Sequence, residues 1–369
     1  MTLKKKIFIG IAAVLTVAIA SFAIVLSHES PCVAPPALAA GETGMKAIVR
    51  TCYGGAEKLV LATIAKPAPK ANQVLVRVHA ASVNPYDWHM MTGEPYIMRM
   101  SLGIGSPHHV RLGADFSGTI EAVGPEVKHL RIGDEIFGTS GGSFGEYVIA
   151  TEGESIAKKP AGISHEQAAA IPIAGLTALQ GLRDHGKLAA GQKVLINGAS
   201  GGVGSYAVQL AKAFGAEVTG VCSTRNVELV RSLGADHVVD YTREDFTQGG
   251  QRYDLIIDNV GNHALLDLKD VLNPGGNVVI IGGPKNDPWI GPLKGPIKGT
   301  ILSRFTDEQF IVFIADVTEA DLEFVADLMV QGKVRSAIDR RYRLDQVPEA
   351  MAYMGSRRSR GKTVVNIVE

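Results

Sequence analysis

The chain has 369 residues, of which 46% are hydrophobic and 20% are charged, and its 37 basic side chains balance 37 acidic ones. This composition excludes an intrinsically disordered protein, and the neutral balance argues against a nucleic-acid partner, because such a protein needs excess basic residues to neutralise phosphates. The length predicts two domains and an appendage.

The N-terminal segment predicts a membrane anchor. Lys4, Lys5 and Lys6 precede an uncharged stretch over residues 7–26, which is long enough to cross the hydrocarbon layer as a helix. A cleaved signal peptide is the alternative, because small-residue cleavage sites occur within residues 37–40. The lysines predict a cytoplasmic tip and export of everything that follows.

The apolar stretch is followed by a predicted linker, which contains one of the three cysteines. Residues 27–43 are rich in Pro, Ala and Ser, which is typical of a linker. Cys32, Cys52 and Cys222 are odd in number and widely separated, so they predict neither a disulfide framework nor a CxxC zinc pair. We expect Cys32 to be an ordinary linker cysteine.

The first folded region begins at Met45 and is predicted to be β-rich. Short apolar runs alternate with turns that contain Gly or Pro, a spacing typical of a compact barrel-type β domain. The predicted strands are 46–49, 74–78, 120–123, 135–137 and 146–149.

The second folded region begins near Gln192 and alternates apolar strands with helices. Near-continuous aliphatic strands separated by helices indicate parallel βαβ units, and therefore a doubly wound, nucleotide-binding α/β domain. The predicted strands are 194–196, 218–221, 238–239, 255–257 and 278–281, and the predicted helices are 205–214 and 227–233. Two amphipathic helices, 319–330 and 347–354, are predicted to end the chain.

A phosphate-binding loop is predicted after the first strand of this region. The loop is Gly198, Ala199, Ser200, Gly201, Gly202, Val203 and Gly204. Ala199 stands where the dinucleotide fingerprint has its first glycine, which alone would be a weak match, but the strand–turn–helix context is the one that the fingerprint requires. The first glycine permits the turn, the middle pair admits the pyrophosphate and the last allows close helix packing. An ordinary glycine-rich turn is the alternative.

The end of the second strand predicts NADPH as the cofactor. Ser223, Thr224 and Arg225 follow this strand, where a protein that binds NAD would place a carboxylate. The hydroxyls can hydrogen-bond a 2′-phosphate, and the guanidinium can pair with its charge. Arg225 as a solvated cation is the alternative.

Five motifs give the chain a resemblance to a known superfamily. They are 81–88 (ASVNPYDW), 113–118 (GADFSG), 143–147 (SFGEY), the 199–204 loop, and 232–236 (SLGAD) before Asp240-Tyr241. From Met45 onward the chain resembles the zinc-independent medium-chain dehydrogenases/reductases, in the branch of quinone oxidoreductases and enone reductases. Zinc-dependent members carry a cysteine near Asn84, a Gly-His-Glu run and a four-cysteine lobe, none of which is present here, so the resemblance implies no metal.

The resemblance implies an α/β fold with a GroES-like β-barrel domain and a Rossmann domain, to which the sequence adds the transmembrane helix. The expected division is a tip, anchor and linker over 1–44, the GroES-like domain over 45–170 and 305–369, and the Rossmann domain over 171–304. A homodimer is expected by resemblance only.

The resemblance also implies site residues. Asn84 is expected beside the nicotinamide, although a simple turn is the alternative. His89 stands where relatives have Lys or Tyr and is a candidate proton donor, with a packing role as the alternative; Tyr96 is a weaker candidate. Additional cofactor contacts are expected from residues at strand ends, namely Tyr241, Asn259, Gly261 and Gly282.

We therefore expect an NADPH-dependent reductase that transfers hydride to a quinone or an α,β-unsaturated carbonyl without zinc. The alternatives are an enoyl-thioester reductase, or a membrane-tethered NADPH sensor or interaction module without turnover. The predicted localisation is a single-pass membrane protein. The lysine bias predicts an exported catalytic domain, whereas the cofactor predicts a cytoplasmic one.

Overall fold

The structure, a computed structural model, describes residues 3–283, 288–289, 299 and 306–367. Within these residues the helices are α1 (Leu3–Ser27), α2 (Pro85–Thr92), α3 (Arg99–Leu102), α4 (His165–Ala169), α5 (Pro172–Gln180), α6 (Gly202–Ala213), α7 (Val227–Ser232), α8 (Leu265–Asp270), α9 (Glu319–Val330) and α10 (Val347–Gly355). The strands are β1 (Gly44–Val49), β2 (Val60–Ala65), β3 (Gln73–Val83), β4 (Asp115–Val123), β5 (Glu135–Thr139), β6 (Tyr147–Thr151), β7 (Ile156–Lys158), β8 (Lys193–Asn197), β9 (Glu217–Cys222), β10 (His237–Asp240), β11 (Tyr253–Asp258), β12 (Leu272–Ile280), β13 (Gln309–Val312), β14 (Ile338–Arg343) and β15 (Lys362–Asn366).

One sheet is parallel and has the order β10-β9-β8-β11-β12-β13. Its central strands are aliphatic because helices cover both faces; Val194, Leu195 and Ile196 of β8 are fully buried. The strand order reverses between β8 and β11, which is the topological switch point where such sheets bind ligands. The predicted Rossmann domain is confirmed.

The other large sheet has the order β14-β15-β3-β4-β5-β7, with β6 also paired to β3. It is antiparallel except where β14 pairs with β15, and β1 and β2 form a separate two-stranded sheet. This is the predicted GroES-like β domain. Because β15 pairs with β3 through Thr363 and Val83, the C-terminal strand lies beside the residues that open α2.

The domain boundaries stay a prediction. Strand β13, which the predicted division assigns to the β domain, pairs with β12 in the parallel sheet. The chain rejoins the antiparallel sheet at β14. The predicted boundary between residues 304 and 305 lies outside the described residues.

The predicted transmembrane helix is wrong. Helix α1 forms, but it begins at Leu3 and so includes the three lysines, and at its other end Leu26 is buried and its carbonyl accepts a hydrogen bond from Arg99. Within the part of the chain that the structure describes, no helix is both long and apolar enough to cross a membrane. The predicted single-pass localisation and the membrane partner over residues 7–26 are therefore not retained.

The expectation that the cysteines form no disulfide is also wrong. Cys32 and Cys52 are bonded to each other, with their Cα atoms 4.7 Å apart, and Cys222 is a buried free thiol. The linker therefore folds back onto the loop after β1 instead of extending away from the domain.

Candidate functional site

The glycine loop joins β8 to α6 in the geometry expected for phosphate binding. Gly198 has a φ of 78°, in the left-handed region that favours glycine. A Cβ on Gly204 would lie 2.1 Å from the carbonyl oxygen of Gly198, so the first turn of α6 requires glycine for close packing. Helix α6 starts at Gly202, which leaves the amides of its first turn available to an anion.

Two loop residues have packing partners rather than an open face toward a ligand. The Ala199 side chain is buried, and its amide donates to the carbonyl of Val221. The Ser200 hydroxyl accepts a hydrogen bond from the Asn226 amide over 3.0 Å. Alanine therefore fits this position because its methyl group packs inward, against the strand that ends at Cys222.

The carboxyl ends of β11 and β12 meet this loop. A Cβ on Gly282 would lie 2.1 Å from the Asn259 carbonyl oxygen, and one on Gly261 would lie 2.8 Å from the Cα of Gly283. Asn259 donates from Nδ2 to the carbonyl of Asn197 over 2.9 Å, whereas its buried Oδ1 has no hydrogen-bond partner among the described residues. A buried acceptor without a donor fits a ligand amide or hydroxyl.

The residues after β9 lie at the outer edge of the same face. Arg225 donates from Nη2 to the carbonyl of Arg358 over 2.8 Å, which brings the turn that contains Arg357 and Arg358 beside the strand end. Thr224 donates to Asp240 over 2.6 Å.

Two neighbouring residues complete this edge. Ser223 accepts from Asn226 over 3.2 Å, and Tyr241 is exposed immediately after β10. The local charge is therefore mixed, with arginines on one side and a largely buried carboxylate on the other.

A buried polar cluster surrounds Asn84, which precedes α2. Asn84 donates from Nδ2 to the Ser82 carbonyl over 3.2 Å and to Asp115 Oδ2 over 2.9 Å, and Lys362 donates to its Oδ1 over 2.5 Å. Both amide hydrogens of Asn84 thus have protein acceptors. Asp87 Oδ2 accepts from the Asn84 backbone amide over 2.8 Å, closing the first turn of the helix.

The charges in this cluster are strongly perturbed by burial. Burial and, after it, the neighbouring Asp115 carboxylate together raise the pKa of Asp87 to about 7, although the Asn84 amide and the Lys362 ammonium oppose the change. Burial also raises the pKa of Asp115, although the Lys362 ammonium at 3.5 Å opposes that shift. Burial lowers the pKa of Lys362, and the two carboxylates oppose this change.

Lys362 connects the cluster to the phosphate loop. The preceding residue, Gly361, donates its amide to the Ser200 carbonyl over 2.7 Å, and a Cβ on Gly202 would lie 3.3 Å from Lys362 Cδ. The lysine therefore runs from the glycine loop to Asn84. As a result, the phosphate loop and the Asn84 cluster form one continuous site between the two sheets.

The other two predicted catalytic residues, His89 and Tyr96, follow Asn84 in the chain, in α2 and in the loop after it. His89, in the last turn of α2, donates from Nδ1 to the Glu94 carbonyl over 2.6 Å, since a carbonyl can only accept. Tyr96 donates its backbone amide to the Pro288 carbonyl over 2.7 Å, and its ring packs edge-on against Trp289 at 4.9 Å. His89 and Asn84 lie at opposite ends of α2 and have different hydrogen-bond partners.

Sequence reasoning missed Lys362 as a site residue and noted Asp87 and Asp115 only as parts of motifs. A single lysine directly before the apolar run Thr363-Val364-Val365 was the available signal for a buried cation. Its partners could not be chosen from this pattern.

The residues fit a dinucleotide, on the evidence of the glycine cradle and the orphaned Oδ1 of Asn259. Gly201 and Gly202 would hold the pyrophosphate at the start of α6. Among the described residues, no group of three or more His, Cys, Asp or Glu side chains is arranged to hold a metal ion.

Two family models match the chain. The model described as alcohol dehydrogenase GroES-like domain matches residues 70–161, and the one described as zinc-binding dehydrogenase matches residues 233–365. The first covers much of the antiparallel sheet, and the second covers the later part of the parallel sheet and the C-terminal return.

Individual proteins match over most of their length. The chloroplast envelope quinone oxidoreductase homolog of Arabidopsis thaliana is 33% identical over 337 residues, covering 87% of this chain and 98% of the relative. The 2-methylene-furan-3-one reductase of Solanum lycopersicum is 33% identical, covering 87% and 79%. The structure of the quinone oxidoreductase from Coxiella burnetii superimposes with a TM-score of 0.78 at 29% identity, covering 88% of this chain and all of that one.

Proposed function

Because the chain belongs to the medium-chain dehydrogenase/reductase superfamily, in its quinone oxidoreductase branch, we propose that it transfers a hydride from NADPH to a quinone or an α,β-unsaturated carbonyl compound. The observation that carries the proposal is the continuity of the site: Lys362 and Gly361 join the phosphate loop to Asn84. A dinucleotide held by the phosphate loop would extend past Lys362 toward Asn84.

When bound, the reduced nicotinamide supplies the hydride. The chain's own residues bind and orient the reactants. Gly201 and Gly202 would hold the phosphates, and Asn259 Oδ1 would accept a hydrogen bond from the cofactor. Asn84 has a fixed orientation, because its amide is held by Lys362 on one side and Asp115 on the other.

His89 is proposed to deliver the proton that follows the hydride. Its Nδ1 proton is donated to the Glu94 carbonyl, so the proton transferred to substrate would come from Nε2 of the imidazolium form. We expect His89→Gln to lower kcat by about 100-fold, the usual size of a general-acid contribution. The exposed His129 offers a matched control, since His129→Gln should leave kcat unchanged. Equal kcat values for the two variants would remove His89 from the mechanism.

Tyr96 is a second candidate for contact with the acceptor. Its hydroxyl is carried on the loop after α2, and its ring lies against Trp289. If this hydroxyl hydrogen-bonds the acceptor, Tyr96→Phe should raise the KM for the acceptor and leave the Kd for NADPH unchanged. An unchanged KM would leave the residue a packing role alone.

NADPH is proposed over NADH because of the charge at the outer edge of the site. The Arg225 guanidinium lies at this edge, where it donates to the backbone carbonyl of Arg358, and a guanidinium pairs well with a 2′-phosphate. We expect Arg225→Ala to weaken NADPH binding by about tenfold or more and to leave NADH binding unchanged. Arg231→Ala, which removes an exposed arginine of α7, is the matched control.

Catalysis without zinc is part of the proposal. The chain has Gly113-Ala114-Asp115 where zinc-dependent members of the superfamily carry Gly-His-Glu. Dialysis of the full chain against a strong chelator should leave turnover unchanged. Loss of activity that is restored by added zinc would contradict this part.

The direct test of function is NADPH oxidation by the full chain, followed at 340 nm. The acceptors are a panel of quinones and enones, because the relatives include a protein named for each kind of substrate, and NADH serves as the cofactor control. Acceptor-dependent oxidation with NADPH preferred is the expected result. Tight NADPH binding without oxidation of any acceptor would refute the proposed reductase, and equal use of NADH would refute the cofactor preference.

A further inference from the structure

The segment that follows α1 is docked against the loop that carries Tyr96. The amide of Ser30 donates to the carbonyl of Gly105 over 2.9 Å, and Glu29 and Gly105 form an isolated parallel bridge. Leu26 is buried at the start of this docked segment. We call residues 26–33 the strap and residues 92–105 the Tyr96 loop.

Arg99 holds the strap and the Tyr96 loop together. Its guanidinium is fully buried and donates to the strap at the carbonyls of Leu26 (3.3 Å) and His28 (3.1 Å) and at the Glu29 carboxylate (2.9 Å). It also donates to the Tyr96 loop at the carbonyls of Gly93 (3.0 Å) and Thr92 (3.1 Å). A buried cation requires this many acceptors, so separating the two segments would leave Arg99 with unsatisfied donors.

The same guanidinium touches two aromatic rings. It lies 4.4 Å from the ring centre of Tyr96 and 4.5 Å from that of Tyr53, whose hydroxyl donates to the Gly103 carbonyl over 2.8 Å. The position of the Tyr96 ring thus depends on Arg99, and the position of Arg99 depends on the strap.

A disulfide connects the strap to the residue next to Tyr53. Cys32, in the strap, is exposed and bonded to Cys52, and Thr51 donates its hydroxyl to the carbonyl of Val33 over 2.7 Å. The bond closes a loop with a sequence separation of 20 residues. This covalent link lies at the C-terminal end of the strap, where it opposes release of the strap from the domain.

We propose that the Cys32–Cys52 disulfide is a redox switch that controls docking of the strap, and through Arg99 the position of Tyr96 in the active site. A dithiol reductant breaks the S–S bond: the two cysteines gain two electrons and two protons, and the dithiol becomes a disulfide. The strap then loses its covalent link and exchanges between docked and released states. The effect on catalysis rests on the proposed function, whereas the release of the strap does not.

Hydrogen exchange of the full chain tests the release directly. Oxidised protein, protein treated with dithiothreitol, and the Cys32→Ser variant are compared by mass spectrometry, with Cys222→Ser as a matched control that removes a thiol elsewhere. We expect the amide of Ser30 to exchange about 100-fold faster after reduction, as estimated from the entropy of closing a loop of this size. The Tyr96 loop should lose protection at the same time.

Several results would overturn the proposal. Alkylation of the unfolded chain without reductant should modify one thiol, and modification of all three would mean that the bond does not form. Unchanged exchange in the strap after reduction would show that the disulfide does not hold it. A dithiothreitol effect of equal size on the Cys32→Ser variant would assign the effect to another group. Faster exchange in the strap alone would refute the coupling to Tyr96.

Kinetics supply the second readout. Reduction should lower kcat/KM for the acceptor by about tenfold in wild type and in Cys222→Ser, because the Tyr96 loop is displaced. It should leave kcat/KM of Cys32→Ser unchanged. The Kd for NADPH should not change, since the hydrogen bonds and the disulfide that hold the strap run to the Tyr96 loop and to residues 51–52, not to the phosphate loop. The exchange response could be present while none of the acceptors supports oxidation of NADPH. That result would refute the proposed reductase and leave the release of the strap supported.

Discussion

Replacing Asp87 with asparagine should make the protein's stability less dependent on pH. The carboxyl group is completely buried, its Oδ2 caps α2 by accepting from the Asn84 amide, and its Oδ1 has no hydrogen-bond partner in the described part of the chain. Asparagine keeps the shape and the capping acceptor and removes the charge. Burial raises the pKa of Asp87 from 3.8 to about 7, so the native state pays to ionise it.

The sign of the effect follows from linkage. Because the native pKa lies above the unfolded one, the native state binds the extra proton between these two values. The stability contribution is fully present below about pH 4 and is lost as the pH rises through about 7. Between pH 5 and pH 7.5 this single group lowers the free energy of unfolding by about 2.5 kcal/mol. Asp87→Asn lacks this loss.

Urea unfolding followed by tryptophan fluorescence at a series of pH values measures the difference. Asp87→Asn should become more stable relative to wild type by about 2.5 kcal/mol as the pH rises from 5 to 7.5. Asp327→Asn, at an exposed position of α9, is the control and should run parallel to wild type. Parallel curves for Asp87→Asn would refute the assignment of a neutral, buried carboxyl at this position.

Three further predictions address the loop, the buried lysine and the free thiol. Gly204→Ala places a Cβ 2.1 Å from the Gly198 carbonyl oxygen, so we expect the free energy of unfolding to fall by about 1–3 kcal/mol, seen as a lower thermal midpoint. NADPH should not raise the midpoint of this variant, and a rise as large as that of wild type would contradict the loop geometry. Lys362→Met leaves Asp115 buried without its cation and should lower the free energy of unfolding by about 3–5 kcal/mol near neutral pH, as measured by urea unfolding. The loss should be smaller at acid pH, where the carboxyl is protonated, and equal stability to wild type would contradict the buried pair. Burial raises the pKa of the Cys222 thiol to about 11, so native protein should resist iodoacetamide at pH 8, where about one thiol in a thousand is ionised; rapid alkylation of the native chain would contradict its burial.

The local pattern of the sequence was sufficient for the Rossmann unit and its phosphate loop. A buried parallel strand, a glycine-rich turn and a helix follow one another within about a dozen residues, and each feature is dictated by neighbours in the chain. Gly198 needs a left-handed φ and Gly204 needs close packing, and both requirements are visible as residue types. The predicted strand-end residue Asn259 also lies at this loop, because parallel strands present their carboxyl ends on one edge.

The buried cluster could not be assembled from the sequence. Lys362 and Asn84 are separated by 278 positions and meet only because β15 pairs with β3 in a particular register. The raised pKa of Asp87 depends on burial and on Asp115, and neither follows from the residues beside it. The pKa of a buried group depends on which other charged groups the fold buries beside it.

The N-terminus shows the same division in its clearest form. Its apolar composition predicts a helix, and α1 forms, but composition alone led to a membrane anchor and an unpaired Cys32. The structure instead ends the helix on the domain, where Arg99 binds the strap and Cys32 meets Cys52. Turn geometry and helix propensity act over a few residues and are legible in the sequence, whereas docking, disulfide pairing and the ionisation of buried groups depend on contacts between distant segments, which only the tertiary structure decides.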